Sequence, residues 1–580
     1  MRVTATKTAS RMSAALRKRV LSKRREFIVL APVIALAIWA SCWVAVTTAD
    51  HIGEQYDSAS YLGTAAELRS WHGPVVPSTF LADDYPPQVA ASFGGHVPSS
   101  HFPPGYPIAL ALTSIVTGGI DSAARLLGIV LVFVNVMLVG VLTARMTAYR
   151  SLILPALPAA LLLFTSDWTS TFDNPGWLGL HAYVYSEPLF IAVAMCCLLM
   201  TATAVSSSVS RSRHVWAAAA FASIALATRY VGVAVLLTLG IALIFFAPPA
   251  PRFASARRAS VVCLAAVAPT FAFLVWSFVL GGQAVRVFDY HPRWEVYVFV
   301  RRLEIFFFPA SWPTAVRTTS FIILAGLMLV GTSRRFRLSH ALAGDDRRAQ
   351  TLQHITLLFV ACYIIVVYFT RTFLDAATPF NARLLSPIRG PIYAISIVVL
   401  YRLLVEHVRP VAAATALALL CGILIFGGWV TERTVLRAGT GSGTTPTRTE
   451  LMVATLPKGA LIVTDDAAGL YLAVERGSLT LPQRTVYVTG RPNHSFDSDM
   501  REWANLLRQR GGYVLSVARF CIGCPRVVSE LLRLVPARLI SESGPEHLYE
   551  VTAAHSRLSG PLRTADLRNN PAAVGDTRLL

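Results

Sequence analysis

Charge is the first scarcity: only 14% of the 580 residues are Asp, Glu, Lys or Arg, against roughly a quarter in soluble domains. With 54% apolar residues, that shortage excludes a soluble cytosolic protein, a disordered chain and a fibrous repeat. Lysine is nearly missing; Lys7, Lys18, Lys23 and Lys458 are the four lysines among 52 basic residues. The bias fits a GC-rich genome and carries no mechanism. Cysteine is sparse as well. Six of the eight (Cys42, Cys196, Cys197, Cys263, Cys362 and Cys421) lie in apolar runs and read as small buried hydrophobes. Cys521 and Cys524 form a single CxxC in the polar tail, half a zinc site at most. Outside the cytoplasm a local disulfide is the better reading of that pair.

What is abundant is long apolar sequence. Residues 1–26 hold nine basic residues and one acid, and the run 27–49 that follows carries no charge. It is long enough to span a bilayer. No small-residue cleavage site follows it, so it reads as an anchor and not a removed signal peptide. Further spans are expected near 123–144, 151–166, 184–206, 215–229, 230–248, 260–281, 318–333, 351–370, 388–405 and 411–430, about eleven in all. Alternation then puts five basic stretches on one side: 145–150, 211–213, 252–258, 334–348 and 402–409. The positive-inside rule makes that side, and the N-terminus, cytoplasmic. Topology therefore accounts for the net charge of +20. Without zinc-finger spacing or an RNP motif, nucleic acid is not an expected partner.

The fold class expected is a polytopic α-helical protein of the plasma (inner) membrane with a C-terminal extracytoplasmic α/β domain. Its parts are a basic cytoplasmic N-terminus (1–26), a membrane domain with an outer loop at 50–122 (27–430), an α/β domain (431–555) and a disordered tail (556–580). Within the outer loop, the apolar stretch 104–118 is too short to span and reads as a surface or half-inserted helix. In the tail, strands are expected at 460–465, 512–517 and 547–552, and helices at 467–475 and 498–511. Asp465 and Asp466 follow a strand and read as a turn.

Candidate chemistry follows from where ionisable residues sit. A transporter places them in mid-membrane; here the acids gather at outer span ends and outer loops. The first outer loop has seven acids and one arginine. Asp57 opens a helical stripe continued by Tyr61, Ala65 and Leu68. HFPPGYP (101–107) supplies His101 and Tyr106, YSEPLF (185–190) puts Glu187 at a span mouth, TRYVG (228–232) does so for Arg229, and NARLLSPIRGP (381–391) for Arg383 and Arg389. Loop 282–317 adds Arg286, Arg293, Arg301, Arg302 and Arg317 on the side where positive charge does not help topology. A phosphate at the membrane surface is one reason for such arginines. Asp173 and Asp375 are outer-loop acids with no motif of their own.

In order and sidedness, YDSASYL, FPPGYP, SEPLF, TRYVG and NARLLSP resemble the GT-C superfamily of integral-membrane glycosyltransferases, over most of residues 25–430. The branch most similar is the dolichyl-phosphate-mannose protein mannosyltransferase-like one. Many relatives carry Asp-Glu in the first loop where this chain has Asp57-Ser58. The resemblance implies a polyprenyl-phosphate sugar as donor and a cell-envelope glycan, lipid or protein as acceptor. It implies inverting transfer with Asp57 as the catalytic base. Arg229, Arg383, Arg286 and Arg293 would bind the donor phosphate. Tyr61, His101 and Tyr106 would form the sugar pocket, and Glu187 would orient the acceptor or help hold a divalent metal. Three rivals stand beside this reading: a flippase or transporter of lipid-linked sugar, a non-catalytic assembly protein, and a polymer ligase using an oligosaccharide diphosphate.

Overall fold

In the computed structural model of the chain the described residues are 2–77, 97–98, 101–165, 176–206, 211–246, 252–280, 290, 296–308, 312–332, 344–375, 381–436, 446–485, 491–517 and 524–553. The membrane domain is a helical assembly. Helix α1 (Arg2–Thr47) runs unbroken from the basic N-terminus through the first apolar stretch. Segment 50–122 contributes α2 (Tyr56–Arg69), a short hairpin of β1 (Val75–Val76) and β2 (Val97–Pro98), and α3 (Gly105–Thr117). Then come α4 (Ile120–Met146), α5 (Ala156–Thr165), α6 (Glu187–Ser206), α7 (Arg211–Thr228), α8 (Val233–Phe245) and α9 (Arg252–Val279). The domain closes with α10 (Val296–Phe307), α11 (Thr314–Thr332), α12 (Gly344–Phe373), α13 (Ala382–Val405) and α14 (Pro410–Leu436).

A helix stands at each of the eleven stretches expected to span. Among the described residues six are long and apolar enough to cross a membrane, where eleven spans were expected: Arg24–Thr47, Ile120–Met146, Glu187–Ser206, Phe253–Val279, Arg347–Phe373 and Ala382–Val405. Ala156–Thr165 and Tyr230–Phe245 are shorter apolar helices, as is Gly105–Thr117 in segment 50–122. Helix is the economical choice here, because lipid offers no partner to an unpaired backbone group. The outer surface of the bundle is apolar, with Phe253, Leu264, Phe271, Phe278, Ile322 and Ile423 exposed. In water such a surface would be an aggregation patch; in a multi-pass membrane protein it is the lipid contact.

The C-terminal part builds a five-stranded sheet in the order β4-β3-β5-β7-β6. Strands β3 (Ile462–Thr464), β4 (Leu479–Thr480) and β5 (Gly512–Ser516) are parallel, while β7 (Glu546–Val551) and β6 (Ala537–Ser543) extend the sheet antiparallel. Helices α15 (Arg448–Ala454), α16 (Ala467–Val474), α17 (Phe496–Arg510) and α18 (Cys524–Leu534) accompany it. Parallel strands need covered faces, and Met500, Trp503 and Leu507 of α17 share one core with Val463 and Val514 of the sheet. Asp466 is the N-cap of α16, accepting the Gly469 N–H at 2.8 Å, and Asp465 accepts the Val517 N–H at 2.7 Å. Both aspartates thus hold backbone, as a turn would.

The sheet region and segment 50–122 exchange side chains. Val76 and Val97 of the hairpin belong to the core under the sheet. In return, Ala468 and Tyr471 of α16 belong to the cluster around Tyr61, Ala65 and Tyr106. Cys521 and the tail beyond residue 553 lie outside the described residues.

Candidate active site

Four segments far apart in sequence meet above the bundle. The first two are zipped together by backbone. Gly53 and Tyr183 form a parallel bridge, in which the Gly53 N–H donates to the Ala182 carbonyl at 2.8 Å and the Val184 N–H donates to the Gly53 carbonyl at 2.9 Å. Only glycine fits at 53, since a Cβ there would come within 2.5 Å of the Tyr183 ring. Ser58 extends the zipper: its hydroxyl donates to the Val184 carbonyl at 3.1 Å and accepts the Gln55 N–H at 3.0 Å. Ser58 thus fastens the start of α2 to the 182–184 segment. Asp57 sits in the first turn of α2 and Glu187 in the first turn of α6, where helix dipoles favour negative charge. Beneath them, Asn135 of α4 donates to the Pro188 carbonyl at 2.9 Å and lies 3.0 Å from His181 Nε2, fixing the entry to α6.

The other two segments bring arginines. Asn381 caps α13 by accepting the Leu384 N–H at 3.0 Å, which puts Arg383 in that helix's first turn. The Tyr363 hydroxyl of α12 donates to the Leu384 carbonyl at 2.6 Å and steadies the turn. Arg229 follows α7, before the 3-10 turn Tyr230–Gly232. Gly105 of the FPPGYP turn lets α3 lie directly on this corner; a Cβ would stand 2.6 Å from the Ala227 carbonyl oxygen.

The charges interlock. Arg383 donates through one terminal nitrogen to Asp57 and through Nε to Glu187. Arg229 approaches the same Glu187 oxygen at 2.6 Å and donates to the Ser186 hydroxyl at 3.0 Å, which is 3.0 Å from the Tyr61 hydroxyl. The Arg383 guanidinium lies 4.2 Å from the centre of the Tyr185 ring, a cation–π distance. Glu187 is 1% exposed, whereas Arg383, Asp57 and Arg229 keep 16%, 18% and 18%. The cluster is therefore buried but open at one side. Burial pushes the Asp57 carboxyl up, but Arg383 beside it, helped by His101 and Arg229, outweighs burial and holds it below the usual carboxylate range. Asp57 is an anion whose strength as a base depends on what Arg383 is doing.

Of the expected site residues, Asp57, Glu187, Arg229 and Arg383 come together. Tyr61 and Tyr106 pack edge to face at 5.2 Å, with Phe102 at 5.0 Å from Tyr61 and His101 at 4.5 Å from Phe102. Tyr61 and Tyr106 are fully buried, so they back the charged cluster where a pocket-lining position was expected; half-buried His101 is the more accessible ring. Arg286 and Arg293 lie outside the described residues, as does Asp173. Arg389 is not at the span mouth: it is buried within α13, donating to the Thr165 carbonyl at 3.1 Å and to the Tyr393 hydroxyl at 3.2 Å. Arg301 and Arg317 face Glu304, at 3.1 and 3.7 Å. Sequence reasoning missed Tyr185 and Ser186; the signal was their position immediately before Glu187 in YSEP.

A divalent metal fits these residues poorly. Asp57 and Glu187 both face guanidinium groups, and among the described residues no three His, Cys, Asp or Glu side chains gather as a metal group.

No family profile matches the chain, and no curated protein matches it by sequence. Solved structures do. ArnT from Cupriavidus metallidurans in the apo state is 13% identical, with 95% of this chain and 100% of that one covered and a TM-score of 0.51. The structure of the same protein bound to undecaprenyl phosphate is also 13% identical, with 91% and 98% covered and a TM-score of 0.51. These neighbours do not single out the mannosyltransferase-like branch. At this identity the likeness is one of fold, and the fold is that of the GT-C glycosyltransferases.

Proposed function

We propose that the chain is a membrane glycosyltransferase, moving a sugar from a polyprenyl-phosphate donor to a hydroxyl of a cell-envelope acceptor at the outer membrane face. The observation that carries this reading is the convergence of Asp57, Glu187, Arg229 and Arg383 from four distant segments onto one open-sided cluster. The undecaprenyl phosphate held by the Cupriavidus structure supports a polyprenyl phosphate as the ligand class.

The residues divide the work as follows. Asp57 accepts the acceptor's hydroxyl proton as its oxygen attacks the anomeric carbon. The carbon–phosphate oxygen bond breaks on the opposite face, so the configuration inverts. A lipid phosphate leaves without needing a strong acid, so one carboxylate suffices where glycoside hydrolysis uses two. Arg383 and Arg229 offset the charge that develops on the departing phosphate. An arriving phosphate also competes with Asp57 for Arg383, and loss of that partner makes the carboxylate a stronger base. Glu187 keeps both arginines aimed.

The test is a transfer assay on full-length protein in nanodiscs with radiolabelled polyprenyl-phosphate sugars, supplied one at a time with an envelope extract. Wild type is expected to transfer label, and Asp57→Asn to lose at least about 100-fold of that rate, the low end for a lost general base, while still binding donor. Transfer that survives in Asp57→Asn moves the base to another residue. Donor binding without transfer from any sugar favours the flippase or assembly rivals.

A further inference from the structure

A second cationic feature lies at the opposite end of the membrane domain. A cleft of about 340 Å³ is lined by Arg24, Arg25, Ile28 and Val29 of α1 and by Tyr149, Arg150, Ser151 and Leu152 of the turn between α4 and α5. Arg24 precedes the end of α1 by 23 residues, about 35 Å at the helical rise. The cleft is thus a bilayer's thickness away from the Asp57 site and faces the other leaflet.

Its construction is specific. Ala148 and Tyr149 both adopt left-handed backbone, with φ of 50° and 55°. Non-glycine residues avoid that region, and two in succession turn the chain sharply as it leaves α4. The turn brings Arg150 to the same cleft as the two arginines of α1. The described lining holds three guanidiniums beside the apolar wall of Ile28, Val29 and Leu152. Ile28 and Leu152 are themselves exposed. Topology alone asks for basic residues at this end of a span; it does not ask for three of them from two elements to share one cleft with an apolar wall. A ligand that matches has an anionic, hydrogen-bond-accepting head and a hydrocarbon body.

We propose that this cleft binds an anionic phospholipid of the leaflet opposite the Asp57 site. Its phosphate lies among Arg24, Arg25 and Arg150, and an acyl chain lies along Ile28 and Leu152. The planar guanidinium fork suits phosphate oxygens, and the apolar wall distinguishes a lipid from free phosphate.

The test is native mass spectrometry of the full-length protein with added phosphatidylglycerol or phosphatidylcholine of identical chains. Wild type is expected to retain phosphatidylglycerol selectively. Replacing Arg24, Arg25 and Arg150 together by Gln should lower that retention at least about tenfold, given roughly a tenfold-or-less contribution per basic residue at an anionic membrane surface. Removing Arg213, Arg257 and Arg258, which lie at the same end outside the cleft, should leave retention unchanged and controls for bulk charge. Equal loss in both triple variants, or equal retention of the two lipids by wild type, overturns the site. Displacement of the lipid by millimolar inorganic phosphate alone overturns the lipid and leaves a phosphate site. Leu152→Glu keeps the three arginines and should also lose the lipid; it carries the test if the Gln triple does not fold, and unchanged retention in it overturns the proposal.

Discussion

Tyr185 presents two separable groups in one side chain. Its ring covers the Arg383 guanidinium, while its buried hydroxyl has no hydrogen-bond partner among the described residues; the same holds for Glu187 Oε2. A buried polar atom left unpaired costs about 1–3 kcal/mol, and a sugar or acceptor hydroxyl is the kind of group that relieves it. Tyr185→Phe removes the hydroxyl and keeps the ring. It should raise KM about 5- to 30-fold, the equivalent of 1–2 kcal/mol, with kcat nearly kept. Tyr185→Ala, which also uncovers Arg383, should lower kcat as well. Both are read in the transfer assay, and a wild-type KM in Tyr185→Phe removes the hydroxyl from substrate recognition. The four charged residues that cluster, Asp57, Glu187, Arg229 and Arg383, stood out in the sequence because ionisable side chains beside apolar spans are costly. Tyr185 did not, since a tyrosine beside a span is common and its meaning rests on Arg383, 198 positions away.

Among the elements, the bridge between 53 and 183 does most to set the geometry. It spans too few residues to show any periodicity, so nothing in the local sequence announces it. The helices were the opposite case: long uncharged runs made them visible. Asp57 was read correctly as a helix-start residue, but the turn's real anchor is Ser58, whose partners lie in the 182–184 segment and at Gln55. Gly53→Val should drive a side chain into the Tyr183 ring and part the two segments. Overpacking of this kind costs about 1–3 kcal/mol. A shift of about 1 Å between Asp57 and Glu187 is expected to lower kcat by about 100-fold. The check is the transfer rate beside the thermal midpoint; full activity in Gly53→Val shows that the bridge does not position the site.

Across the whole molecule, the loop that carries Asp57 is held from both sides, by the bundle and by the sheet region. Glu54 marks the seam. Burial first, then the nearby negative charges of Asp121 and Glu475, push its carboxyl from the ordinary 4.5 up to about 7. The folded protein therefore holds a proton that the unfolded chain releases above 4.5. Stability contributed at this seam is present at low pH and falls as pH rises from 4.5 to 7, by on the order of 3 kcal/mol at most. Glu54→Gln should flatten that slope, measured as the thermal midpoint of the purified protein between pH 4.5 and 7.5; an unchanged slope places the titration elsewhere. The exchange of side chains across the same seam also has a meaning in time. Tyr61 and Tyr471, members of the same core cluster, are separated by 410 positions, so at roughly 5–20 residues per second the ribosome needs some 20–80 s to make the second after the first. During that interval α1 and α2 are already in place without the packing behind Tyr61. The membrane half therefore matures around an unfinished face, and the cluster holding Asp57 gains its full backing only once the last domain has been synthesised and has docked.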